Sequence, residues 1–254
     1  MSYELIMLII TSGDVPVYRD FEKTLSMYHA KYADRVKHFF VEFNPNIKEN
    51  VLESGEYIYV KGMESFKPGI YDKTMAALRY INSKYTYKHI IRTNISSFWN
   101  LGNTLEFQKQ LPVFNYIGGI IHGHTFIDLD TKEEICMPFI TGTGIFMSRD
   151  IAEKISTLRL PNDVVHRDIV TNTIKHGTIP EIFNDDVSIS CILSILGHTL
   201  QNIGDDKWKL CINDSDSMDD FEYKELYYRI KNDNRDIDIK LFHQLFDKLY
   251  RFGG

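Results

Sequence analysis

Basic charge is in short supply: 29 Lys and Arg stand against 35 Asp and Glu, for a formal net charge of −6. A dedicated nucleic-acid binder, whose footprint is a basic field, is therefore not expected. Cysteine is scarcer still. Cys136, Cys191 and Cys211 are odd in number, far apart and in no CxxC pair, so they read as reduced and mostly buried thiols rather than a disulfide framework. No stretch approaches the ~20 apolar residues of a membrane span. The N-terminus, Met-Ser-Tyr-Glu and then the short run Leu5–Ile10, lacks the basic and apolar regions of a secretory signal. A soluble intracellular protein is expected. No GxxxxGK[ST], GxSxG or HExxH occurs. What the 254 residues do hold is 43% hydrophobic, 13% aromatic and 25% charged side chains. That is the composition of a folded chain, which at this length hides roughly 75% of its unfolded surface.

The order of elements points to an α/β fold. Leu5–Thr11 is a continuous Leu/Ile run stopped by Ser12-Gly13-Asp14, the pattern of a buried strand. A helix over Pro16–Ala33 follows, with Val17, Phe21, Leu25, Tyr28 and Tyr32 at helical spacing, then strands at Val36–Phe43 and Tyr57–Val60. Lys67-Pro68-Gly69 turns into a periodic helix over Tyr71–Tyr85, and Lys88–Thr93 is a further strand. Such alternation predicts a mostly parallel, Rossmann-like sheet flanked by helices, with ligands beyond the carboxyl ends of the strands. Those ends are Thr11 and Ser12, Glu42–Asn44, Lys61 and Gly62, and Arg92–Ser97. Further on, a helix is expected from Asp150 and another over Val187–Leu196, with Asp186 and Ser188 as candidate caps. The stretch Asp205–Glu222 reads as an acidic loop, and Glu225–Ile230 and Leu241–Tyr250 as amphipathic. A single domain spanning 1–254 is the simplest organisation.

Several short patterns are weaker than they look. Gly142-Thr-Gly144 starts a dinucleotide fingerprint, but the third glycine position holds Met147. His122 and His124 would share one strand face without a cysteine or further histidine nearby, which favours a structural role over zinc. Asp214, Asp216 and Glu225 match three places of a calcium loop whose other places are wrong. His166-Arg167-Asp168 could line a pocket or simply be solvated.

More specific is the order of Lys73-Thr74 on a helix, the strand Ile90-Ile91-Arg92-Thr93-Asn94-Ile95-Ser96, the segment Thr141-Gly-Thr-Gly-Ile-Phe-Met-Ser148, and Asn184-Asp185-Asp186-Val187. This order resembles the GT-A-fold glycosyltransferases, in particular the inverting fringe and β-1,3-galactosyltransferase family. The likeness covers roughly residues 5–200. The phrase Arg92-Thr-Asn-Ile-Ser-Ser-Phe98, in a chain rich in Ile, Asn, Lys, Tyr and Phe, is also similar to glycosyltransferases of giant DNA viruses; in that case host cytoplasm or virion is the expected location. The resemblance implies a nucleotide-sugar-binding half over 1–100 and an acceptor half over 101–254. It further implies transfer of a hexose from a nucleotide sugar, in the first instance a UDP-sugar, to a hydroxyl of a glycan or glycoprotein, with inversion.

Such a transfer needs donors or a cation for the departing diphosphate and a carboxylate to take the acceptor proton. Asp186 matches the family's acid before Val and, with Asp185, is the candidate base; helix capping explains both as well. Thr11 and Ser12 would meet the nucleotide. Where the family has Asp-x-Asp, this chain has Asn94-Ile95-Ser96, neutral ligands that hold Mn²⁺ or Mg²⁺ poorly. Either fixed charge from Lys73, Arg92, Arg229 and Lys231 replaces the metal, or the metal is kept with water and phosphate oxygens supplying most of its shell. Two other readings stay open: a catalytically silent glycan- or nucleotide-sugar-binding module of the same fold, and a sugar-1-phosphate nucleotidyltransferase, whose N-terminal phosphate loop Thr11-Ser-Gly-Asp14 does not supply.

Overall fold

The Leu/Ile run is strand β1 (Ser2–Ile10), and its alternate residues feed two cores: Leu5, Met7 and Ile9 enter one, Ile6, Leu8 and Ile10 the other. A strand covered on both faces needs no polar side, which is why its sequence is continuous rather than alternating. A computed structural model describes residues 2–157, 163–167, 174–178, 184–211, 223–232 and 234–252. The first half runs α1 (Tyr18–His29), β2 (Val36–Phe43), β3 (Val51–Ser54), β4 (Tyr57–Val60), α2 (Gly69–Lys84) and β5 (Thr86–Asn94). The second runs β6 (Ser97–Trp99), α3 (Leu101–Gln108), β7 (Ile117–Gly119), β8 (Ile121–Ile127), β9 (Glu134–Ile140), β10 (Ile145–Ser148), α4 (Arg149–Thr157), β11 (Asp163–Arg167) and β12 (Ile174–Thr178). Then come α5 (Asp185–Ile195), β13 (Gln201–Asn202), β14 (Trp208–Cys211), β15 (Tyr227–Ile230) and α6 (Arg235–Phe252).

The main sheet has eight strands in the order β13-β7-β10-β5-β1-β2-β4-β3. Strands β5, β1, β2 and β4 are mutually parallel, while β10 runs antiparallel between β5 and β7. The mostly parallel α/β architecture expected from the sequence is what forms. One face packs on α1, α3 and α6 through Phe21, Leu25, Tyr28, Leu105, Phe242 and Leu245. The other packs on α2, α4 and α5 through Met75, Leu78, Ile81, Ile151, Ile155 and Ile192. Each such side chain, fully buried, contributes about 1.5–3 kcal/mol.

Two expectations are corrected, and one strand was not foreseen. The acidic stretch after Asp205 is not all loop, because Trp208–Cys211 forms β14 beside β15. Ser188 does not cap α5: the helix begins at Asp185, and Ser188 is buried inside it. The sequence also hides β3, which pairs antiparallel with β4 across a turn at Gly55, where φ is +63°. The calcium-like pattern at Asp214 and Asp216, and the side chains of His166, Arg167 and Asp168, lie outside the described residues.

A second, small sheet matters most for the site. In it β15 runs antiparallel to β6 and parallel to β14, setting Arg229 opposite Ser97 and Tyr227 opposite Trp99. The Trp99 and Tyr227 rings stack at 4.5 Å, and the Ile230 N–H donates to the Ser96 carbonyl at 2.9 Å.

Candidate functional site

Parallel strands end with their carbonyls and loops at one edge, and there β1 and β5 leave a cleft of about 390 Å³. Thr11, Ser12, Lys73, Asn94, Ser96 and Arg229, scattered through the sequence, all line it. Two residues not foreseen complete its acidic and aromatic sides: Glu64, and Phe66, which is 65% exposed at the rim. Their signal was position, since both lie in the loop between a strand end and the Pro68 turn. Lys231, exposed and one residue past β15, is not part of the lining, and Glu42 is turned to Arg19, with Oε atoms 2.9 and 3.1 Å from Nη2. A larger cleft of about 770 Å³ opens between α2 and the β3–β4 edge, but of the strand-end candidates only Phe43, Lys61 and Gly62 reach it.

Each lining residue is held by a definite partner. The Thr11 hydroxyl donates to Glu22 Oε1 at 2.7 Å, which turns it away from the cleft, while the Thr11 carbonyl accepts from Lys73 Nζ at 2.6 Å. Lys73, 1% exposed, also donates to Glu64 Oε2 at 2.7 Å. Burial pulls its pKa down and the Glu64 charge opposes that. Arg229 donates to Ser96 Oγ and has no carboxylate partner among the described residues. Burial also pulls its pKa down, yet a guanidinium keeps its charge at any ordinary pH.

Beneath the cleft floor lies Arg92, 1% exposed and set on the α2/α5 side of β5. Its Nη2 meets Asp185 Oδ2 at 2.5 Å, and its Nη1 donates to Asn94 Oδ1 at 2.7 Å and to the Gly142 carbonyl. Asp185, 5% exposed, is thus a buried counter-ion. Desolvation raises its pKa, and Arg92 opposes the rise. This placement fits positioning of Arg92 and α5, not proton abstraction at the cleft. Asp186, its neighbour, turns the other way. Its Oδ2 accepts from the Gly142 N–H at 2.8 Å and its Oδ1 from the Val187 N–H at 2.9 Å. The carboxylate staples the start of α5 to the Thr141–Gly144 turn and retains a lone pair on each oxygen.

That turn leaves no room for side chains. A Cβ on Gly142 would lie 2.7 Å from Arg92 Nη1, and one on Gly144 would lie 2.5 Å from Trp99 Cζ2. Both glycines are required by internal packing. His122 and His124 flank the Phe139 ring, at 6.3 and 6.1 Å.

A divalent cation does not fit the Asn94-Ile95-Ser96 turn. Hard cations prefer carboxylate oxygens, and the two neutral side-chain oxygens here each lie against a guanidinium, whose charge repels a cation. Among the described residues no group of three or more His, Cys, Asp or Glu is arranged to hold a metal ion.

No protein-family model and no curated protein sequence matches the chain. Solved structures similar to the chain at low identity include the following three. The catalytic domain of Drosophila β1,4-galactosyltransferase 7, in complex with xylobiose, aligns at 8% identity and TM-score 0.41 over 79% of this chain and 64% of that one. A glycosyltransferase involved in glycosylation of the major capsid of PBCV-1 aligns at 11% and 0.49 over 95% and 99%. HddC from Yersinia pseudotuberculosis aligns at 14% and 0.30 over 60% and 79%. The chain therefore spans 64% of the length of the Drosophila domain, and all three scores lie below 0.5. The chemistry has to be read from the chain's own cleft.

Proposed function

We propose that the protein is a glycosyltransferase of GT-A-like architecture that binds the diphosphate of a nucleotide sugar, in the first instance a UDP-sugar. It passes the hexose to a hydroxyl of a glycan or glycoprotein with inversion. The observation that carries this reading is Arg229: a largely buried cation without a carboxylate partner among the described residues, facing a cleft at the ends of β1 and β5. An uncompensated guanidinium in such a place favours an anionic ligand, and charge developing on a departing diphosphate is what it would stabilise. Lys73, its charge offset by Glu64, adds one further N–H donor. Ser12 at the end of β1 and exposed Phe66 offer hydrogen bonding and a stacking face to the rest of the nucleotide. Asp186 lies outside the cleft lining, at the Thr141–Gly144 turn, and is the carboxylate assigned to the acceptor proton on the family resemblance, since Asp185 is committed to Arg92.

One observation favours the second reading, a binding module without turnover: both Asp186 oxygens already accept backbone N–H groups. A thermal-shift panel of UDP, GDP, CMP and their sugars, followed by donor hydrolysis assays, separates the two. A ligand at 100 times its Kd adds about 2.7 kcal/mol of stability. The transferase reading expects stabilisation by one nucleotide sugar, slow hydrolysis of it, and loss of hydrolysis with binding retained in Asp186→Asn. Binding without any hydrolysis in the wild type assigns the module; no stabilisation by any nucleotide sinks both.

A further inference from the structure

The turn that replaces an acidic metal site has the opposite polarity, and the chemistry of its partners requires this. A guanidinium only donates, so the Asn94 atom that meets Arg92 Nη1 is the carboxamide oxygen. The half of the amide left over is its NH2 group, which makes no hydrogen bond to a described residue, and Asn94 lines the cleft. At Ser96 the same logic holds: Oγ accepts from Arg229, so the hydroxyl proton points away from that guanidinium. Lys73 commits two of its three ammonium protons to Thr11 and Glu64, leaving one. The protons the turn has to spare are therefore those of the Asn94 NH2 group, the Ser96 hydroxyl and one Lys73 N–H, while the spare lone pairs of Asn94 Oδ1 and Ser96 Oγ each lie on an oxygen held against a guanidinium.

We propose that Asn94-Ile95-Ser96, together with Arg229, forms a direct oxyanion cradle that takes a pyrophosphate group through Asn94 Nδ2, Ser96 Oγ and the Arg229 guanidinium without an intervening divalent cation. The identification of the ligand as a nucleoside diphosphate rests on the function proposed above; the donor polarity of the turn does not. Arg92 is a positioning residue: by occupying Asn94 Oδ1 it fixes which end of the carboxamide is offered. A divalent cation brought to the turn would meet two guanidinium groups and, among the described residues of the lining, a single carboxylate, Glu64, which is paired with Lys73.

Titration calorimetry with inorganic pyrophosphate and with UDP, each in EDTA and then with Mn²⁺, tests the cradle. In the wild type the Kd in EDTA should stay within about threefold of that with Mn²⁺. Asn94→Asp should weaken binding in EDTA at least tenfold, because it replaces a donor by a negative acceptor, and Mn²⁺ should recover part of that loss. Arg229→Gln should weaken it in both conditions. Should Asn94→Asp fail to fold, Ser96→Ala removes one donor and should weaken binding severalfold. Wild-type binding of UDP only with Mn²⁺ overturns the cradle while the nucleotide reading stands. Pyrophosphate bound in EDTA with no preference for any nucleotide supports the cradle and removes that reading. No binding of either probe in either condition removes both.

Discussion

His29 is fully buried, and neither ring nitrogen has a hydrogen-bond partner among the described residues; the His38 ring lies 4.6 Å away and itself faces Glu56 at 3.4 Å. Desolvation, with His38 adding to it, holds His29 well below the usual value of about 6.5. The unfolded chain therefore takes up a proton near pH 6.5 that the native state refuses. Stability should be flat above that pH and fall below it, by up to ~1.4 kcal/mol per unit. Glu56, held down to about 2 first by the facing His38 ring and also by the Ser26 hydroxyl, loses its contribution only at much lower pH. Burial shifts His89 and His198 in the same direction as His29, so the diagnostic is a difference. Urea unfolding between pH 6.5 and 5 should show a shallower slope in His29→Leu than in the wild type; parallel slopes would reject the assignment. Residue-level fates of this kind are poorly legible in sequence. Asp185 and Asp186 read alike as acids opening a helix, yet adjacent helical positions point about 100° apart. One therefore reaches Arg92 and the other Gly142, partners far away in the chain.

Elements were legible in proportion to their length and periodicity. Helices α1 and α2 announce themselves by apolar spacing, and β1 by its unbroken Leu/Ile run, because each is local and deeply buried. Strands β3, β14 and β15 have four residues each and no apolar run like that of β4 to mark them; β3 is defined by its hairpin with β4, and β14 and β15 by the pairing of β15 with distant β6. The site suffered accordingly. Thr11, Lys73, Asn94 and Ser96 could be placed from strand ends and one helix, but the contact of Arg229 with Ser96 spans 133 residues and exists only because β15 docks on β6. That docking depends on the Trp99–Tyr227 stack, and Gly144 is the residue that makes space for it. Gly144→Ala should lower stability by about 1–3 kcal/mol, as overpacking does. It should also lower Tm by ~2–4 °C for each kcal/mol lost. An unchanged Tm by calorimetry would show that the indole moves aside at no cost.

For the whole molecule, the alternation along β1 set the layering: one sheet, two cores, helices on both sides. Sequence carried that much because burial of both faces is written into every strand residue. It did not carry the second sheet, whose three strands come from residues 97–99, 208–211 and 227–230 and owe their union to tertiary contact. The cleft lies across the seam between the sheets, with Asn94 at the end of one and Arg229 on the other. Pyrophosphate should therefore slow amide hydrogen exchange at Ile230, which donates to the Ser96 carbonyl, and at Asn100, which donates to the Leu226 carbonyl. Exchange there as fast as in the free protein would place the anion elsewhere. An occupant gripping both sides of the seam closes a loop of chain much as a disulfide would, but one that opens and closes with ligand concentration. The integrity of the C-terminal strand would then rise and fall with the supply of substrate.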